Sequence, residues 1–569
     1  MVDPKKKSCQ NCKNQFTIEP EDLVFYEKIN VPPPTWCPEC RMIRRMAFIN
    51  LFNLYQRTCD LCKKGMVSIY PADAPYRVYC NSCWWSDNWD PLSYGRDYDF
   101  SRPFFEQFNE LLHEVPLNGL KVDAPTLINS SYANLAGSLR DSYLLFMADF
   151  VENSAYGFYL TQVKDSLDCS AIVSSELCYD SMHSYKNSRC IGLRSQVTNS
   201  VDCLFLRDSF NCQNCAASAN LRNRQYVMFN QQYSPEQYKE ELSRWDLGSY
   251  KQYQEFKRLT EEHWKKFPPK PVQEEFSVNS TGSHVFYSKN CKECVEVIGG
   301  EDSKYLIWMY APPIKDCYDI STWGNNLSLS YDCANVGEHS SGLKFCVSTG
   351  INATDIQYGF GVIGGSNNFG CVSVRKGEYT ILNKRYSKEE YEKLRDHIIV
   401  HMSEMPYKDQ KGRIYGYGEF FPVELSPYAY NETIANNFFP LSNEAVKENG
   451  YRYKEKEIRQ YGITLKASDI PDHIKDASDS ILNDIIKCQK CQRGFKVIPM
   501  ELKFLRERNL PLPRKCPFCR IEEKFTQWVK DLRMLPRVCS LCGKNFETKY
   551  TEEEAPIVYC KECYQKEFV

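Results

Sequence analysis

Residues 9–40 read CQNCKNQFTIEPEDLVFYEKINVPPPTWCPEC, and residues 488–519 read CQKCQRGFKVIPMELKFLRERNLPLPRKCPFC. Each stretch opens and closes on a C-x-x-C pair, and the gap between the pairs is the same in both. A second set follows each: Cys59/Cys62 with Cys80/Cys83, and Cys539/Cys542 with Cys560/Cys563, again with matching gaps. The surrounding text also repeats, CDLC against CSLC and APYRVYCNSC against APIVYCKEC. The two termini are copies of one module.

A C-x-x-C knuckle presents two sulfurs to one ion from a tight turn, and two knuckles complete a tetrahedral thiolate site. The spacing predicts four such sites: Cys9, Cys12, Cys37 and Cys40; Cys59, Cys62, Cys80 and Cys83; Cys488, Cys491, Cys516 and Cys519; Cys539, Cys542, Cys560 and Cys563. With every ligand a thiolate, no coordination position is left for water, so the expectation is four structural zinc ions and no catalytic one. In the first site of each copy the second knuckle opens a helical pattern, CPECRMIRRMAFINLFNLY and CPFCRIEEKFTQWVKDLRML. The knuckle, the Phe four residues on, the EDLVFYEK segment, the proline run and CPECR resemble the treble-clef zinc-ribbon proteins of bacteria, an uncharacterised group of multi-zinc-ribbon chains. The resemblance covers about 35 residues at each end, implies structural zinc, and implies no particular activity.

The centre is also duplicated. YVMFNQQYSPEQYKEEL (226–242) matches YTILNKRYSKEEYEKL (379–394), each a strand running into a helix that starts at Ser234-Pro235 or Ser387-Lys388. Upstream, Ser154, Ser166, Ser175, Ser188, Ser200 and Ser209, taken two at a time, recur at a spacing of 21–25 positions. Short strands between Ser, Asn, Asp and Gly at such a period predict a β-solenoid. The reading puts Cys169, Cys190 and Cys212 in one stacked column and Cys178 and Cys203 in a second. A β-sandwich or barrel of short strands is the competing architecture. The twelve central cysteines read as small buried side chains. A further metal site at Cys212/Cys215 or Cys291/Cys294, and disulfides between adjacent rungs, are the alternatives.

The predicted fold class is therefore multidomain and mainly β, a duplicated right-handed β-helix or solenoid flanked by treble-clef and zinc-ribbon modules. The expected boundaries are a treble clef at 1–58, a zinc ribbon at 59–100, a helical linker at 101–130, and solenoid half 1 at 131–245. A helical linker at 246–282, solenoid half 2 at 283–395, and an aromatic-rich connector at 396–486 follow. A second treble clef at 487–535 and a ribbon at 536–569 close the chain.

The 569 residues carry 71 Lys+Arg against 73 Asp+Glu and 28 cysteines, and 42% are hydrophobic. A net charge of −2 excludes nucleic-acid binding by bulk charge and requires a local basic patch. Such a patch is expected on the first zinc helix, at Arg41, Arg44 and Arg45, with Lys5, Lys6 and Lys7 nearby. Residues 487–569 hold 18 Lys+Arg and 11 Asp+Glu, a formal +7 that falls to about +3 with two tetrathiolate zinc sites. The rest of the chain is then −9. Trp84, Trp85 and Trp89 could stack on bases or anchor the module to its neighbour. No apolar run is long enough for a membrane span, and MVDPKKKSCQNC has no apolar signal region, so a reducing cytoplasm is expected.

Catalytic signatures are sparse. Gly359, Gly361 and Gly364 match G-x-G-x-x-G, but GSNNFGCVSV follows in place of a helix, so they read as turn glycines. HIIVH (397–401) lacks the Glu of a metalloprotease motif. Asp165, Asp168, Asp180, Asp202 and Asp208 are available for a carbohydrate-active enzyme on the solenoid face, the alternative to a non-enzymatic scaffold whose partner is RNA or a protein assembly.

Overall fold

The computed structural model describes residues 4–271, 274–455, 462–530 and 534–568. They form two compact units. One comprises Met1–Leu120 with Glu274–Glu455, the other Lys121–Gln273 with Lys456–Val569. Each unit thus joins a pair of cysteine modules to the solenoid half that is not their immediate neighbour in sequence.

The solenoid strands pair in parallel up to the antiparallel hairpin that ends each half. Ala155 lies opposite Tyr143, Ser170 opposite Phe158, and Met182 opposite Ser170, an advance of twelve positions per turn, and Val197 lies opposite Ser184, an advance of thirteen. In the second half Leu327 lies opposite Ile314 and Cys333 opposite Ile320, an advance of thirteen. A turn is therefore little more than half the period expected from the paired serine spacing.

The short turn has a local cause. Every third side chain points inward, as Leu160, Val163, Ser166, Cys169 and Ile172 do. Two residues after each, the backbone enters the left-handed region, at Gln162, Asp165, Asp168, Ala171 and Ser174. Left-handed backbone is cheapest for Gly, Asn and Asp, which explains the Asp and Asn richness of the repeats. The chain turns a corner every three residues, and four corners close one coil.

Serines at one inward column make the corners hydrogen-bond properly. Ser142 N–H donates to Ser130 Oγ (2.9 Å), Ser166 N–H to Ser154 Oγ (3.1 Å) and Cys178 N–H to Ser166 Oγ (3.0 Å). Each hydroxyl donates in turn to the carbonyl two residues back, as Ser154 does to Glu152 (2.8 Å). Buried amides that would otherwise lack a carbonyl are thereby satisfied. Cysteine takes over this column higher up: Cys178, Cys190, Cys203 and Cys215 follow at successive turns, each thiol on the carbonyl two residues back. Cys178 and Cys203 do share a column, two turns apart. Cys169, Cys190 and Cys212 do not, because their separations are not whole numbers of turns; Cys212 instead stacks over Ser200, whose Oγ takes its N–H (3.3 Å). All twelve central cysteines are buried and unbridged, packed with Leu, Ile and Val in one core per half.

Each half ends in a hairpin and a capped helix. Ser234 and Ser387 form capping boxes for Pro235–Ser243 and Lys388–Glu404. The linker helix Tyr250–Trp264 buries Tyr253, Phe256 and Trp264, with Phe256 against Phe205 and Phe229 of the first half. Phe104–Glu114 does the same for the second half, with Phe104 against Tyr358 and Phe369. In the aromatic-rich stretch Phe420 and Phe421 are buried, the first against Phe48 and the second against Phe108. Among the described residues, no helix is long and apolar enough to cross a membrane.

Candidate metal centres

The cysteines converge in the four tetrads that the spacing predicts, and in each the four Sγ atoms lie within 4.8 Å of one another. Cys12 and Cys37 are 3.7 Å apart, Cys62 and Cys80 3.9 Å, Cys491 and Cys516 3.7 Å, and Cys542 and Cys560 3.8 Å. Four sulfurs at about 2.3 Å from one tetrahedral ion would be about 3.8 Å from each other. The donor set and its spacing fit a metal ion at all four sites.

Each tetrad is built the same way. The residue after the first knuckle is left-handed, at Lys13, Lys63, Gln492 and Gly543, which folds the chain back so that its N–H meets the carbonyl of Cys9, Cys59, Cys488 or Cys539. Strands flank the knuckle, for example Lys5–Ser8 with Gln15–Ile18. The second knuckle opens a helix: Cys37 precedes Pro38–Met46 and Cys516 precedes Pro517–Lys530. The free amides and dipole of a helix N-terminus favour anionic sulfur there. Across the site, the N–H groups of Cys37, Cys80, Cys516 and Cys560 donate to the Sγ of Cys9, Cys59, Cys488 and Cys539 at 3.2–3.3 Å. One addition to the expected module is the helix Pro20–Lys28, formed by the EDLVFYEK segment.

Arg41, Arg44 and Arg45 are not a phosphate-binding face. Their side chains are 0–2% exposed. Arg41 pairs with Asp319 (2.8 Å), Arg44 with Asp332 (3.0 Å) and Glu419 (2.8 Å), and Arg45 with Asp319 (3.0 Å) and Asp332 (2.8 Å). Three cations meet three carboxylates, so the cluster is neutral. Burial alone would weaken the charge on Arg41, yet Asp319 holds its pKa well above the ordinary value. Burial pushes the Asp332 carboxyl up, against the pull of Arg44 and Arg45. Of the nearby lysines, Lys5 and Lys6 are exposed, while Lys7 Nζ reaches the Pro34 carbonyl (3.4 Å).

The C-terminal copy repeats the arrangement in its own unit. Arg520, the counterpart of Arg41, pairs with Asp168 and with Glu501 (2.8 Å), and Lys524, the counterpart of Arg45, pairs with Asp180 (2.9 Å). Lys257 (3.0 Å) and Arg194 (3.1 Å) also reach Asp180. Burial would raise the Asp180 pKa, but these cations hold it well below the usual carboxylate range. Asp168/Asp180 and Asp319/Asp332 are left-handed corner residues on successive turns. Each helix opened by a second knuckle is thus clamped to its solenoid half by cations on two stacked aspartates. The sequence carried a signal for this, one turn apart in each half: SLDC (166–169) with CYDS (178–181), and CYDI (317–320) with SYDC (330–333).

The acids considered for catalysis are therefore engaged: Asp168 and Asp180 in the clamp, Asp202 with Arg189 (2.8 Å), and Asp208 with the Lys270 N–H (3.2 Å). Asp165 is a half-buried corner residue. Trp84 and Trp89 are buried, with Arg375 of the second half over both rings (5.7 and 5.1 Å), while Trp85 is exposed. These tryptophans anchor the first ribbon to its solenoid half. Gly361 and Gly364 are left-handed solenoid residues, and His401 is buried on the Tyr98 hydroxyl (2.8 Å).

No family model matches the chain, and no curated protein matches it. Among solved structures, a "putative acetyltransferase" from Desulfovibrio desulfuricans G20 aligns over 51% of this chain and 85% of its own, at 9% identity and a TM-score of 0.10. A likeness of that size carries no argument about fold or activity.

Proposed function

We propose that the protein is a zinc-stabilised, non-enzymatic scaffold of the cytoplasm, whose partner is RNA or a protein assembly. The observation that carries the reading is the set of four all-cysteine tetrads with Sγ spacings of 3.7–3.9 Å. Thiolate donors in a tetrahedron suit zinc, and a closed shell of protein ligands suits a structural role. Cys9, Cys12, Cys37 and Cys40 would hold the first ion, and the other tetrads one each. When bound, zinc supplies cross-linking of the two knuckles, with an apparent folding contribution of about 10–16 kcal/mol per site. The helices that the knuckles open then present Arg41, Arg44, Arg45, Arg520 and Lys524 to the solenoid aspartates, so metal and clamp act in series. A scaffold also fits the engagement of Asp168, Asp180 and Asp202 by cations.

Metal analysis of the purified chain should find four zinc ions. Two or fewer would overturn the ligand assignment. Cys37→Ser should lose one zinc and leave the other three, because the tetrads share no ligand.

A further inference from the structure

Residues Leu465–Lys466, Ile486–Lys487 and Gly494–Phe495 form a three-stranded sheet beside the third cysteine tetrad. Lys466 lies opposite Lys487, and Lys487 opposite Gly494. Strand alternation puts Lys496, two residues past Gly494, on the same face. Lys466, Lys487 and Lys496 are all exposed, while Ile486 and Phe495 turn into the module. Arg493, also exposed, sits at the mouth of the tetrad, its carbonyl accepting the Cys488 N–H (2.8 Å).

The other cations of this module have partners: Lys490 with Glu522 (3.1 Å), Lys515 with Glu523 (2.8 Å) and Arg506 with Asp479 (2.6 Å). Lys466, Lys487, Arg493 and Lys496 form no ion pair among the described residues. Like charges on facing strand positions repel, so this face is relieved by an anion. Phe518, between Cys516 and Cys519 of the same tetrad, is 44% exposed and offers a ring on the same module. In the N-terminal copy the equivalent positions are Ser8, Asn14, Thr17 and Glu39, and the hairpin there has two strands. The feature belongs to the C-terminal copy alone.

We propose that this lysine face and Phe518 form a binding surface for single-stranded nucleic acid. Lys466, Lys487, Lys496 and Arg493 contact phosphates, and a base stacks on Phe518. Charge complementarity calls for a polyanion, and the exposed ring favours one that carries planar bases over an acidic peptide. The surface rests on the zinc reading, since the third tetrad holds the sheet together. Metal content is therefore measured on every sample before titration.

The test is fluorescence anisotropy of a labelled 20-nucleotide oligo-U RNA with the full, zinc-loaded chain between 50 and 200 mM salt. Changing Lys466, Lys487 and Lys496 together to Ala should weaken binding at least tenfold at 50 mM and flatten the log K against log salt slope by about 2, at roughly 0.7 per phosphate contact. Phe518→Ala should weaken binding roughly tenfold while leaving that slope unchanged, since stacking carries no counterions. Changing Lys5 and Lys6 to Ala should have no effect. The proposal is overturned if the four-zinc chain does not bind, if the triple variant binds as tightly as the parent, or if the Lys5/Lys6 variant loses as much. Displacement of the RNA by poly-glutamate at equal charge would also overturn it, in favour of an acidic protein partner. None of these failures touches the zinc count, which tests the reading beneath it.

Discussion

Replacing Asp332 by Asn tests whether the helix Pro38–Met46 is held by a buried clamp. Asp332 joins Arg44 (3.0 Å) and Arg45 (2.8 Å) with no side-chain exposure on any of the three. The substitution leaves one positive charge without a counter-charge inside the unit. Removing one partner of a buried pair costs about 3–5 kcal/mol. Here Arg44 keeps Glu419 and Arg45 keeps Asp319, so the lower end, about 3 kcal/mol, is expected. At about 2–4 °C per kcal/mol for a domain of this class, thermal unfolding should start roughly 6–12 °C lower. The zinc content should stay unchanged, since no ligand is touched. An exposed pair would cost only about 0–1 kcal/mol and would weaken further in salt. A double-mutant cycle completes the test: Arg45→Met with Asp332→Leu should recover much of the loss that either change alone produces, because the charge is then removed with its partner. An Asp332→Asn chain that melts within about 2 °C of the parent, or a loss abolished by 1 M salt, would refute the buried clamp.

Ser154→Ala should destabilise the first solenoid half by about 1–3 kcal/mol, since the buried Ser166 N–H loses its acceptor; Ser154→Cys should cost less, as Cys178 fills the same column, and denaturant unfolding monitors both. Asp180 has a folded-state pKa held well below the carboxylate range, so its stability contribution is present above the unfolded value of about 3.9 and lost as pH falls through and below it. Asp180→Asn should therefore flatten the acid limb of the stability profile below about pH 5, and an unchanged limb in urea melts at pH 3–5 would contradict the ion cluster. Chelation should release four zinc ions and expose sixteen thiols to a thiol reagent, and an unaltered chain after metal loss would contradict a structural role.

The cysteine tetrads were legible because their chemistry is local. A C-x-x-C knuckle needs only a tight turn, and the duplication, which shifts Cys9 to Cys488 and Cys59 to Cys539, marks which pairs belong together. The solenoid class was legible for a similar reason, since repeated Ser, Asn and Asp mark corners. Its turn length was not. Ser154 to Ser166 is one whole turn and Ser166 to Ser175 is three corners of the next, because serines line more than one column, and the two steps added together imitate a longer period. The column Ser142, Ser154, Ser166, Cys178, Cys190 held the answer, but only if serine and cysteine are read as equivalents that both bond the carbonyl two residues back.

By itself, then, the chain's sequence determined four cysteine tetrads, two duplications and a β-solenoid centre, all set by contacts close in sequence or by repetition. The tertiary structure decided where the charges go. Arg41, Arg44 and Arg45 have the spacing of a basic surface helix, and nothing nearby in sequence says otherwise. Asp319, the partner of Arg41 and Arg45, lies far along the chain from both, brought up because the second solenoid half, not the first, packs with the N-terminal modules. A cation facing water and a cation facing a stacked pair of aspartates look alike until the fold supplies the other side. The same reason leaves Lys466, Lys487 and Lys496 as the exposed basic face, since only the pairing of strands from separate segments brings them together.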